Sequence, residues 1–123
     1  MNQKFYYKDG TTSSIDDNSK ALHRTDGPAI EYANGDKYWF IDGRQHRTDG
    51  PAAEYADGSK YWWVDGKCHR IDGPAVELAS GTKEWRIDDK YYTEENFNKL
   101  IEEVKQLPLA LRLIDPKEWV RKL

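Results

Sequence analysis

Two short stretches, Ala29 to Ala33 and Lys37 to Ile41, are rich in apolar and aromatic residues, with Asn34-Gly35 between them and Asp42-Gly43 after them. Short apolar and aromatic stretches bounded by turn residues read as strands. Asn-Gly or Asp-Gly between two such stretches marks a tight hairpin, because a type I′ turn places both central residues at positive φ. The pattern returns at an offset of 23 residues: Asp57-Gly58 and Ser80-Gly81 stand at the first turn, Asp65-Gly66 and Asp88-Asp89 at the second. Asp89 stands where the others have glycine, which predicts an altered last turn. A two-residue tip at Asn34-Gly35 sets Ile30 opposite Trp39 and Tyr32 opposite Lys37. One face then carries Ile30, Tyr32, Trp39 and Ile41 with their equivalents, including Trp62 and Trp85, and reads as packed core. The other carries Glu31, Tyr38 and Phe40, then Glu54, Tyr61 and Trp63, then Glu77, Glu84 and Arg86, with Phe5 and Tyr7 added by the N-terminal stretch.

The period is clearest in the words between hairpins: His23-Arg24-Thr25-Asp26-Gly27-Pro28-Ala29, His46-Arg47-Thr48-Asp49-Gly50-Pro51-Ala52 and His69-Arg70-Ile71-Asp72-Gly73-Pro74-Ala75. A fixed period of this length is the signature of a repeat architecture. Lys4 to Gly10 aligns with Lys37 to Gly43 and reads as the second half of a repeat, a capping strand. Thr11 to Lys20 is a polar insertion expected to be a solvated loop. After Tyr92 the period switches: Phe97, Leu100, Ile101, Val104 and Leu107 recur at helical spacing, with Thr93 as N-cap and Glu94 and Glu95 in the first turn. Pro108 should end that helix, and Asp115-Pro116 opens a second, with Trp119, Val120 and Leu123 docking back. The expected fold is a single domain, mainly β with C-terminal α. It is an elongated antiparallel meander made of a half-repeat and loop (1–20), three hairpin repeats (21–92) and a helical cap of one or two helices (93–123).

The 123 residues are 37% hydrophobic and 33% charged, polar for a globular chain, but five Trp and eight Tyr supply buried area. A net charge of −3 argues against direct nucleic-acid binding. The single cysteine, Cys68, excludes an intrachain disulfide, suits a cytoplasmic setting and occupies a loop position that varies between copies. The sequence contains neither the apolar run of a membrane span nor a cofactor motif.

Three histidines and three aspartates in register admit a metal ridge, or a hydrolase built on His46 and Asp49. A triplicated word more often marks what each unit needs to fold, with no copy singled out for catalysis. The glutamate series admits cross-strand ion pairs or a carboxylate ladder. The sharper candidate is the aromatic set Phe5, Tyr7, Tyr38, Phe40, Tyr61 and Trp63, with Glu31 and Glu54 beside it. Covered by the C-terminal helix or by a second copy of the chain, it is core; exposed, it is a binding surface rich in hot-spot residues. Stacked rings with arginine also admit a nucleotide-sequestering role.

The glycine-bounded hairpins with a central aromatic resemble MORN-type repeats in their short variant form. His-Arg-x-Asp-Gly-Pro-Ala followed by Gly-x-Lys-x-Trp-x-x-Asp-Gly is similar to repeat proteins of bacteria and bacteriophages, over roughly residues 4–92. The resemblance implies a non-catalytic β-scaffold that binds proteins or membranes. It also implies a partner in a host protein, such as a nucleic-acid-processing defence complex, and hence an anti-defence inhibitor acting in the host cytoplasm.

Overall fold

A computed structural model gives the structure, which describes residues 3–108. The expected second helix, with Trp119, Val120 and Leu123, lies outside the described residues. The described residues form thirteen short strands and one helix. β1 (Lys4–Tyr6) and β2 (Thr12–Ser13) come first. Repeat one holds β3 (Ile30–Glu31), β4 (Lys37–Tyr38), β5 (Phe40–Ile41) and β6 (Arg44–Gln45). Repeat two holds β7 (Ala53–Glu54), β8 (Lys60–Tyr61), β9 (Trp63–Val64) and β10 (Lys67–Cys68). Repeat three holds β11 (Val76–Glu77), β12 (Lys83–Ile87) and β13 (Lys90–Tyr92), and α1 (Glu94–Lys105) follows. Nine strands make one antiparallel sheet in the order β13-β12-β11-β8-β7-β4-β3-β1-β2. β1 pairs Lys4 with Glu31 as β4 pairs Lys37 with Glu54, so the N-terminal stretch is the half-repeat that its alignment predicts. Part of the insertion is not loop: Thr12 and Ser13 pair with β1 and form the sheet's edge.

The second turn of each copy is the type I′ hairpin expected. Asp42 and Gly43 sit at φ 51° and 78°, and Asp65 and Gly66 repeat this. Asp88 and Asp89 hold the same geometry at 51° and 68°, so the last turn is not altered. Aspartate tolerates the left-handed region, and Asp89 Oδ1 also accepts the Cys68 N–H at 2.7 Å. The first turn differs from expectation. Tyr32 N–H donates to Asp36 O, so the loop holds three residues, with Gly35 at φ 102°. Ile30 therefore pairs with Tyr38 and Glu31 with Lys37. A one-residue shift turns side chains to the other face. Ile30 and Tyr32 thus belong with Tyr38 and Phe40, while Trp39 belongs with Glu31 and Lys37.

Asp9-Gly10 makes the same three-residue turn between β1 and β2, and Asp9 Oδ1 accepts both the hydroxyl and the backbone N–H of Thr11. Those bonds, with Lys20 at 3.1 Å, hold the Asp9 carboxyl down to about 2. A carboxyl depressed in the folded state stabilises above its unfolded value near 3.8 and loses that effect as pH falls through about 2. NMR titration of the Asp9 carboxyl should give a midpoint well under 3, and Asp9→Asn should flatten the stability–pH curve in that window.

The helix begins as the sequence predicts: Thr93 Oγ1 accepts the Asn96 N–H at 3.1 Å. Its apolar face, Phe97, Leu100 and Val104, packs on Ile87, with Trp85 and Tyr92 alongside. It covers the end of the tryptophan side of the array, and not the aromatic row that the sequence reading offered it.

Candidate functional site

The repeated word forms the joint between copies. In each, the arginine lies flat on the ring of the preceding copy: Arg24 on Tyr6 at 3.9 Å, Arg47 on Trp39 at 4.0 Å and Arg70 on Trp62 at 3.9 Å. The guanidinium donates from Nε to the aspartate two residues on, at 3.0, 2.9 and 2.8 Å, and from Nη1 to the proline carbonyl four residues on. Glu31, Glu54 and Glu77 stand 3.9, 3.3 and 3.6 Å from Nη1. The glycine makes room: a Cβ on Gly50 would come within 3.0 Å of Arg47 Cζ. The histidine Nδ1 accepts the N–H of the next tight turn, His23 from Asp42, His46 from Asp65 and His69 from Asp88, at 3.0, 3.0 and 2.9 Å. Backbone bonds Gly43 to Leu22, Gly66 to Gln45 and Asp89 to Cys68 tie the same units together.

The tryptophan face is therefore no dry core. Trp39 and Trp62 are half-buried beneath arginine, and only Trp85 has the helix over it. The signal for this was in the sequence: arginine follows each of Trp39 and Trp62 by eight residues, at a constant offset.

The six aromatic candidates share the other face. Phe5 and Tyr7 are buried, at 3% and 4% exposure; the Tyr7 hydroxyl accepts the Asp17 N–H and donates to Ile15 O. Tyr38, Phe40, Tyr61 and Trp63 are half-buried. Phe5, Tyr32, Tyr38, Tyr55 and Tyr61 form an edge-to-face row with centroids 5.5–5.9 Å apart, so Tyr32 and Tyr55 belong to the site although the predicted register left them out. Tyr32 is 36% exposed. Burial, then the Tyr55 contact, raises the Tyr38 phenol, and burial raises that of Tyr61, so both stay neutral donors. At the last copy Glu84 and Arg86 pair at 2.8 Å and replace the rings with charge. Glu31 and Glu54 are not beside these rings; the actual register puts them on the opposite face with the arginines.

No match was found among protein-family models, curated proteins or solved structures. Among the described residues no group of three or more His, Cys, Asp or Glu is placed to hold a metal ion, and no helix is long and apolar enough to cross a membrane. Cys68 lies against Ala75 and Val76, and burial pushes its thiol up to about 11 despite the opposing charge of Arg86. The native protein should resist iodoacetamide at pH 8 and react fully once unfolded, which mass spectrometry reads directly.

Two open clefts repeat on the tryptophan side. One, roughly 630 Å³, lies between the loops of Arg24 and Arg47, with Trp39 and Ile41 as its floor. The next, roughly 570 Å³, lies between the loops of Arg47 and Arg70 over Trp62 and Val64. Asp26, Asp49 and Asp72 stand on the rims with side chains 84%, 84% and 82% exposed.

Proposed function

We propose that the chain is a non-catalytic scaffold that binds another protein, with the row of edge-to-face rings from Phe5 to Tyr61 as its contact surface. One observation supports this most: the row runs from the N-terminal half-repeat through two repeats while Tyr32 within it still reaches solvent. Aromatic side chains with a polar tip give large contact area at small entropic cost, which is why they dominate hot spots. The identical use of His23, His46 and His69 speaks for scaffolding over a hydrolase. The resemblance to bacterial and bacteriophage repeat proteins favours a host defence protein working on nucleic acid as the partner.

The test is capture from a bacterial lysate, followed by titration of the purified partner. Tyr32→Ala with Tyr55→Ala should weaken binding at least tenfold without loss of fold, and saturating nucleic acid should compete. A partner that binds the double variant equally well would remove the ring row from the reading. A doubled mass in light scattering, abolished by the same variant, would make the partner a second copy.

A further inference from the structure

The fold already shows what the tryptophan side accepts. Trp39 with Ile41, Trp62 with Val64, and Trp85 with Ile87 are the same two positions in three successive copies. At the third copy the amphipathic helix α1 lies over them: Phe97, Leu100 and Val104 pack there and Ile87 is fully buried. At the first and second copies the same positions are half-buried floors of the two clefts: Arg47 and Arg70 lie over the Trp39 and Trp62 rings, while Ile41 and Val64 face the open space between the loops. The aliphatic part of the floor that holds α1 thus continues at Ile41 and Val64, between the arginine-bearing loops.

We infer that the paired clefts form a second docking site, separate from the ring row, for an amphipathic helix of a partner protein with basic residues flanking its apolar stripe. Spacing supports a helix. One repeat advances by two strand separations, about 10 Å. Along a helix, side chains at i and i+7 share a face and lie about 10.5 Å apart. Two apolar side chains seven residues apart therefore reach the floors at Ile41 and Val64 while the helix passes over the shared wall at Thr48. Ile71, 37% exposed where the other loops have threonine, adds apolar surface to the second cleft. Charge sets the flanks: Asp26, Asp49 and Asp72 project from the walls, and lysine or arginine beside the stripe meets them.

The probe is a synthetic 18-residue helical peptide with leucines at i, i+3, i+7 and lysines beside them, titrated into the labelled full chain and followed by NMR. The indole N–H signals of Trp39 and Trp62 should shift saturably, with that of Trp85 unmoved. Ile41→Glu with Val64→Glu should weaken binding tenfold or more. Thr48→Arg, which blocks both clefts from an exposed position, should do the same without touching a packed residue. Tyr32→Ala with Tyr55→Ala should leave the affinity unchanged, so this site can fail or stand independently of the ring row. The inference is overturned if millimolar peptide shifts neither indole, if a scrambled peptide binds equally, if Trp85 alone responds, or if the chain dimerises through these clefts and Thr48→Arg restores the monomer.

Discussion

Arg47→Ala should lower the free energy of unfolding by about 2–4 kcal/mol and the melting temperature by roughly 10 °C or more. Four interactions end together, the 3.3 Å hydrogen bond to Glu54 among them. The guanidinium leaves the Trp39 ring, a contact worth about 0.5–2 kcal/mol depending on desolvation. It leaves the Pro51 carbonyl, a charged hydrogen bond worth about 1.5–3 kcal/mol. The Asp49 pair counts least, because that carboxylate is exposed and such pairs are worth under about 1 kcal/mol. Arg47→Lys should recover little, since an ammonium cannot lie flat on the ring while donating in two directions. Gly50→Ala should reproduce much of the loss, because its Cβ would displace the guanidinium. Urea unfolding of the three variants checks the ranking; a Gly50→Ala protein as stable as the parent would show that the guanidinium is free to move.

The second large effect separates positions that the repeat makes equivalent. Ile87→Ala should cost about 2–5 kcal/mol, the range for a fully buried aliphatic side chain. Ile41→Ala, at the same place two copies earlier, should cost about 1 kcal/mol or less, because its site is already open to water. The loss at Ile87 also undocks α1. A helix of 12 residues is marginal without tertiary packing, so its amides should exchange faster than those of the strands. Denaturant curves with native-state hydrogen exchange read both parts. Equal costs at the two positions would mean that α1 contributes no burial.

Most of the fold was legible because local chemistry repeats. The period of 23, the aspartate-led turns at Asp42 and Asp65, the half-repeat at the start and the Thr93 cap all follow from residue types whose backbone preferences admit few conformations. Register was not legible at the first turn, because Asn34-Gly35 serves two loops. A two-residue type I′ turn wants that dipeptide, and so does a type I turn closed by a left-handed glycine. The structure takes the second, and that single residue brought Trp39 onto the same face as the glutamates. The place of α1 was unreadable for a related reason: with the faces exchanged, the surface needing a cover at the last copy is Trp85 and Ile87, while Glu84 and Arg86 end the aromatic row. The candidate rings survived the shift as a set because Tyr38, Phe40, Tyr61 and Trp63 moved together. The paired clefts were missed, since they exist only once Arg47 and Arg70 are seen lying on Trp39 and Trp62.

Denaturant unfolding of His23→Ala, His46→Ala and His69→Ala, measured side by side, tests most directly whether the repeated word is a joint between copies. Each histidine accepts one backbone N–H from the next tight turn at 2.9–3.0 Å. The three variants should therefore lose similar amounts, about 1 kcal/mol each, with the denaturant slope unchanged. One histidine whose loss leaves stability intact while abolishing partner binding or an activity would contradict the account.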